Sequence, residues 1–253
     1  MAFKHFNKSK YWTAVAVVLL ITCSSATIFA GKKEQKQSGD NSLTPAEKKA
    51  GWVLLFDGKT IDKWRGFKKT NLPEAWEIED GAITLVGKGG GDLVTKDQYE
   101  NYELMLDWKI SEGGNSGIIY NVSEDSQYGA TYHTGPEMQV LDNERHPDAK
   151  MGKNGNRQAG ANYDMIPLAT PAVKPVGQWN RVRLVVNKGH VEHWLNGKKV
   201  VEYQLGSPEW EQMVKNSKFA DMPGYGRIKK GHIALQDHGD KVWYKNIKIH
   251  PLS

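Results

Sequence analysis

Cysteine is nearly absent. The 253 residues hold one, Cys23, so no intrachain disulfide can form and stability has to come from a packed core. Blocks of like charge are missing too. Three of the 34 basic residues, Lys4, Lys8 and Lys10, sit in the first 30 positions, which hold no acid, so the remainder carries 31 basic against 29 acidic residues. No Lys/Arg run interleaved with aromatics marks a nucleic-acid surface, and none is expected as a partner. There is no His-x-Glu-x-His-like zinc cluster, no Gly-x-Ser-x-Gly elbow and no glycine-rich phosphate loop opening a helix, which disfavours zinc proteases, serine hydrolases and nucleotide enzymes. Helical signals are scarce as well. Ser207-Pro208-Glu209-Trp210 reads as an N-cap, a first-turn proline and an acid at the positive helix end, and it opens the one helix expected, over 207–215.

What is present favours strands. The chain has 26 Gly and nine Trp, enough for a large core cut by many turns, and tryptophan also suits sugar stacking. Asp57-Gly58, Asp80-Gly81 and Asn196-Gly197 are turn signals that tolerate positive φ. Trp76-Glu77-Ile78-Glu79 and Ala82-Ile83-Thr84-Leu85-Val86 flank one of them as a hairpin. Tyr102, Leu104, Leu106, Trp108 and Ile110 alternate with Glu103, Met105, Asp107 and Lys109, which predicts a long half-buried strand. Residues 181–187, 190–195 and 199–204 form a meander, and 231–238 and 242–249 supply two more strands. His193, alternating with Trp194, is expected to be a packed strand residue. The fold class implied is all-β, a two-sheet antiparallel sandwich of jelly-roll type.

The first 30 residues read as a secretory signal peptide: the basic Lys4, Lys8 and Lys10, an apolar stretch from Trp12 to Ile21, then small residues, with cleavage after Ala26 or Ala30. Leu20-Ile21-Thr22-Cys23 also outlines a lipobox, which would anchor the chain to a membrane by lipidation at Cys23, although Thr22 is a poor residue there. An uncleaved anchor is weakened by the polar Thr22-Cys23-Ser24-Ser25 interruption. The chain is expected to be exported, periplasmic or outer-membrane-associated, alternatively secreted. Residues 31–45 are polar and without apolar period, a flexible linker, and a single domain is expected over 46–253.

In Gly135-Pro136-Glu137-Met138-Gln139-Val140-Leu141-Asp142-Asn143, strand alternation sends Met138 and Val140 to one face and Glu137 and Gln139 to the other. A carboxylate and an amide side by side suit a polyol. Three further groups can join them. Asn115 lies in Gly113-Gly114-Asn115-Ser116-Gly117, where small residues permit close approach of a ligand. Gln236 and His238 share a face of the strand expected at 231–238. A long loop after Asp142 adds His146 and other polar groups, and loops of that length are often functional. Its acids lack EF-hand spacing, so no cofactor is assigned and a divalent metal stays an open option.

These segments, with Trp52-Val53-Leu54-Leu55-Phe56-Asp57-Gly58-Lys59-Thr60, Ala159-Gly160-Ala161-Asn162-Tyr163-Asp164, Gly177-Gln178-Trp179-Asn180 and His193-Trp194-Leu195-Asn196-Gly197, resemble the 3-keto-disaccharide hydrolase family in the same order over about residues 51 to 250. The resemblance implies a concanavalin A-like lectin/glucanase jelly roll and cleavage of glycosides already oxidised to a ketone at C3. A 3-keto group acidifies the C2 proton, a base removes it, the enolate expels the glycosidic oxygen at C1, and water adds back. One base and an enolate donor suffice, without the two opposed carboxylates of ordinary glycosidases. Glu137 and His238 are the candidate catalytic pair, Glu137 as base and His238 as acid or the reverse. Asn115, Gln139, Gln236, Asp142 and His146 are candidate substrate-binding residues for an oligosaccharide or glycoside. Two alternatives stay open. A conventional glucanase is suggested by Glu137-x-Gln139-x-x-Asp142, which outlines a Glu-x-Asp-x-x-Glu motif but lacks its middle acid. A non-catalytic lectin-like module would use the same fold.

Overall fold

The computed structural model describes residues 39–253. The expected signal peptide, Cys23 and most of the expected linker lie outside the described residues. In chain order the elements are α1 (Pro45–Lys49), β1 (Val53–Leu54), β2 (Trp64–Gly66), β3 (Trp76–Glu79), β4 (Ala82–Leu85), β5 (Leu93–Thr95), β6 (Tyr102–Ile110), β7 (Asn115–Val122), β8 (Glu137–Leu141), β9 (Asn180–Asn187), β10 (His190–Leu195), β11 (Lys198–Gln204), α2 (Pro208–Lys215), β12 (His232–Leu235) and β13 (Val242–Pro251). The strands build two antiparallel sheets. One has the order β11-β10-β9-β6-β13-β4-β3, with β1 also on β13, and the other runs β2-β5-β12-β7-β8. This is the two-sheet jelly-roll sandwich the alternation predicts.

The core lies between the sheets. From β6 it receives Tyr102, Leu104, Leu106, Trp108 and Ile110, all 2% exposed or less. The opposite face of β6 is paired across the strands instead, Asp107 with Arg181 at 2.8 Å and Glu103 with Arg183 at 2.6 Å. From the five-stranded sheet, Leu93, Ile118, Tyr120, Met138, Val140, Ile233 and Leu235 enter the same core. Their alternating neighbours Val94, Ile119, Val122 and Ala234 form a separate small cluster on the outer face of that sheet. Type I′ turns close three hairpins, with positive φ at Asp80 and Gly81, Lys188 and Gly189, and Asn196 and Gly197. Asp57-Gly58 closes no hairpin. Asp57 accepts from the Lys59 and Thr60 N–H groups at 2.8 Å each and shapes a loop.

Two expectations need correction. Helix is not confined to the stretch around α2, because α1 precedes the first strand. Thr44 Oγ1 accepts from the Glu47 N–H at 3.1 Å and Glu47 Oε2 accepts from the Thr44 N–H at 2.9 Å, a capping box. Ordered contacts also begin before residue 46. Asn41 and Asn246 exchange backbone-to-side-chain hydrogen bonds at 2.7 and 2.8 Å, and Lys245 reaches Asp40 at 2.6 Å. The polar composition of this stretch reflects hydrogen bonding onto β13.

His193 is fully buried, as a packed strand residue should be. Its Nδ1–H donates to the Gly160 carbonyl at 3.2 Å, which leaves Nε2 to accept from the Tyr120 hydroxyl at 2.9 Å. Burial pushes its pKa down to about 4, so it stays neutral. A second polar group spans the sandwich. Ser116 on β7 donates to the Gln236 carbonyl at 2.7 Å and meets the Tyr244 hydroxyl of β13 at 2.8 Å. Ser116→Ala is expected to cost about 1–3 kcal/mol, the usual cost of a buried polar group left unpaired, read from urea denaturation. Adding Tyr244→Phe should recover part of that loss by removing an orphaned hydroxyl. A Ser116→Ala chain as stable as wild type contradicts the link.

Candidate functional site: a carboxylate in a cavity on the small sheet

A cavity of about 420 Å³ opens on the outer face of the five-stranded sheet. Strand alternation puts Glu137 and Gln139 there, because Met138 and Val140 are taken by the core. Asn115 lines it from the start of β7, and Gln236 and His238 from beyond the end of β12. The strand expected over 231–238 stops at Leu235. Gln236 extends the ladder by one hydrogen bond, its N–H donating to the Gly117 carbonyl at 3.0 Å. The chain then turns through Asp237 and Gly239, whose φ of +88° suits glycine. His238 therefore reaches the cavity from a turn.

The Glu137 carboxylate is the distinctive group. The residue is 6% exposed. Burial pushes its pKa up to about 8, opposed by the charge of Lys218 and reinforced by Asp92 and Asp148. Among the described residues no group hydrogen-bonds its oxygens. Space for it comes from Gly117 on β7, where an added Cβ would overlap the carboxylate. Its backbone is pinned on both sides: β8 pairs with β7, while the Tyr163 N–H donates to the Glu137 carbonyl at 2.9 Å and the Ala161 carbonyl accepts from the Gln139 N–H at 3.1 Å.

The other acids lining the cavity are engaged. Asp92 accepts from the Thr131 hydroxyl at 2.5 Å and from the Asp237 N–H at 2.8 Å. Asp237 accepts from the Gly91 and Gly239 N–H groups at 2.8 and 2.9 Å. These bonds knit the turn that carries His238. The amides are partly committed: Gln139 Oε1 accepts from the Val140 N–H at 2.9 Å, which leaves its NH₂ for a ligand. Asn115 Oδ1 is buried without a partner among the described residues.

Asp142 does not line this cavity. Its carboxylate accepts from the Gly113 N–H at 2.8 Å and from the Glu144 and Arg145 N–H groups at 3.0 and 3.3 Å, which hold its pKa below the usual range. It clamps the turn after β8. His146 stands one layer behind, edge-on to His238 with ring centroids 6.0 Å apart. His146, His238 and Asp240 each offer a ligand atom, all within 4.8 Å of one another. The donor types suit a divalent metal. The hydrogen bonds suit it less well, since His146 Nδ1 accepts from the Asp148 N–H at 3.2 Å, which leaves the proton of a neutral ring on Nε2.

Sequence reasoning missed Asp92, Tyr132, Tyr163, Lys218, Phe219, Met222 and Tyr225, which complete the lining. Most come from segments without strand or helix period. Lys218 Nζ sits 4.0 Å from the Tyr163 ring centroid, and Phe219 stacks on Tyr225 at 4.0 Å. Tyr163 was within reach, being part of the quoted Ala159-to-Asp164 motif. A larger depression of about 530 Å³ elsewhere includes two acids at its wall, of which Glu211 is already paired with Arg227 at 2.5 Å.

The sandwich has counterparts in solved structures. A crystal structure from Parabacteroides distasonis that carries a glycosyl hydrolase name matches with a TM-score of 0.79 at 40% identity, over 85% of this chain and 100% of that one. A second from the same organism matches with a TM-score of 0.60 at 32% identity, over 79% of this chain and 99% of that one. These define a glycosidase-type, carbohydrate-active class. The chain belongs to the family described as the 3-keto-α-glucoside-1,2-lyase-like domain, whose model matches residues 51–250. It is 37% identical to a 3-keto-disaccharide hydrolase of Bacteroides thetaiotaomicron, over 93% of this chain and 95% of that protein. The family resemblance read from the motifs is thereby shown.

The raised pKa has a consequence for stability. The folded chain keeps the Glu137 proton up to about pH 8, whereas an unperturbed glutamate releases it near 4.5. Between those values the unfolded state binds fewer protons, so this group makes stability fall as pH rises through the window. Glu137→Gln should flatten that slope in denaturation curves taken at pH 5 and pH 8, both about and within the window. An unchanged slope would mean that Glu137 titrates normally.

Proposed function

We propose that the chain cleaves 3-keto-glycosides by elimination, with Glu137 as the base. The observation that carries this reading is a carboxylate that faces the cavity and has no hydrogen-bond partner among the described residues, while the cavity's other acids are held by backbone and threonine donors. Glu137 takes the C2 proton, the electron pair passes toward C3, and return of the C3 carbonyl makes the C1–C2 double bond as the C1–oxygen bond breaks. His238 gives the departing oxygen its proton. Water then adds its hydroxyl to C1 and a proton to C2. Gln139, Gln236 and Asn115 hold sugar hydroxyls. A carboxylate with a raised pKa is a stronger base than an ordinary one, which suits proton removal next to a ketone.

Glu137→Gln keeps the shape and removes the base, so turnover of a 3-keto-glucoside should fall on the order of 10²–10⁴-fold with substrate affinity little changed. In wild type, kcat/KM should climb as pH rises toward about 8 and Glu137 ionises. The direct assay follows aglycone release from a 3-keto-glucoside and from its unoxidised parent. Near-normal turnover by Glu137→Gln removes it from the chemistry.

A second reading has one observation in its favour. Asp92 lines the same cavity with its pKa raised by burial, as a glycosidase's general acid would be. Equal cleavage of the unoxidised parent would support it.

We also infer export, from the basic and apolar leader, with Cys23 as a lipidated first residue in the alternative form. N-terminal mass analysis of protein from fractionated native cells tests this, and an intact leader on cytosolic protein contradicts both forms.

A further inference from the structure

The segment after α2 brings a lysine ammonium to the wall of the cavity that holds Glu137. Ser217 fixes the turn, its hydroxyl donating to the Val214 carbonyl at 2.8 Å and accepting from the Phe219 N–H at 3.1 Å. Lys218 Nζ then lies 4.0 Å from the Tyr163 ring centroid and 5.3 Å from that of Phe219, within cation–π range of both. Tyr163 is itself tied to β8 by its N–H bond to the Glu137 carbonyl. One strand residue thus carries the carboxylate and, through the Tyr163 ring, holds the ammonium in register with it.

Among the described residues Lys218 has no hydrogen-bonded partner. The neighbouring acids Asp148 and Asp164 are taken by Arg157, at 2.7 and 2.5 Å. Partial desolvation lowers the Lys218 pKa, and its charge acts on Asp164, on Glu137 and on Asp148, of which only Glu137 lines the cavity.

We propose that Lys218 is the group that recognises the oxidised carbon of the sugar, donating to the C3 oxygen and holding the enolate that forms there. This role rests on the elimination reading above. When Glu137 takes the C2 proton, the C–H pair becomes the C2–C3 double bond and the carbonyl pair moves onto the C3 oxygen, which faces the ammonium as an anion. When the carbonyl re-forms, that pair returns and the glycosidic oxygen leaves C1. An ammonium already in place acts as the charge develops, which is where donors lower a barrier most. The unoxidised parent carries a hydroxyl at C3 and develops no such charge. Lys218 therefore separates ketone from parent in turnover more than in binding.

The test compares wild type, Lys218→Met and Lys218→Arg in the full chain, using a 3-keto-glucoside and its parent. Lys218→Met should lower kcat/KM for the ketone on the order of 10²–10³-fold, the usual loss for one such donor. Exchange of the C2 proton in heavy water should fall with it, while binding of the parent stays as in wild type. Loss of the charge should also move the low-pH limb of the rate profile to higher pH, because Lys218 holds the Glu137 pKa down. Lys218→Arg should restore part of the rate. An active wild type with an undiminished Lys218→Met sinks the role alone, and equal loss of parent binding and ketone turnover reduces Lys218 to a sugar-binding group. Borohydride trapping of sugar on Lys218 replaces the ion pair with a covalent imine. A wild type inert toward the ketone sinks the elimination reading as well.

Discussion

Glu137 is largely withdrawn from solvent at the cavity wall, its carboxylate has no hydrogen-bond donor among the described residues, and the backbone around it is arranged so that this is tolerated. A buried charged group in such a place is costly, and the group responds by holding its proton. β7 on one side and the segment 161–163 on the other fix its backbone, and the missing side chain at Gly117 leaves room for its oxygens. A neutral acid at rest becomes a strong base once it ionises. The remaining acids of the cavity are tied into turns by backbone and threonine donors.

The five-stranded sheet divides its two faces between stability and chemistry. Its inner face gives Ile118, Tyr120, Met138, Val140 and Leu235 to the common core. Its outer face gives Asn115, Glu137 and Gln139 to the cavity, with Gln236 and His238 following from the end of β12. Strands set the polar groups, and loops from four parts of the chain bring the walls. The link from Ser116 to the Gln236 carbonyl and the Tyr244 hydroxyl couples this arrangement to the larger sheet.

The fold was legible because its signals are local. Alternation in β6 and the Asp-Gly and Asn-Gly turns name strands and hairpins without long-range knowledge. The face of β8 was legible for the same reason, since Met138 and Val140 leave Glu137 and Gln139 only one direction. α1 was missed although Thr44-x-x-Glu47 spells a capping box, because the surrounding polar residues read as linker. That Asp142 lies outside the cavity was not legible, because its backbone partners at Gly113, Glu144 and Arg145 emerge only once the turn is built. Lys218 and Asp92 come from stretches whose positions depend on tertiary packing. No period could have announced them.

The central claim is that Glu137 is a protonated acid at neutral pH that ionises late. Difference infrared titration of wild type against Glu137→Gln reads that group directly. The account predicts a protonated carboxyl band that persists through neutral pH and disappears around pH 8. A Glu137 carboxylate already ionised near its ordinary value of 4.5 would contradict it.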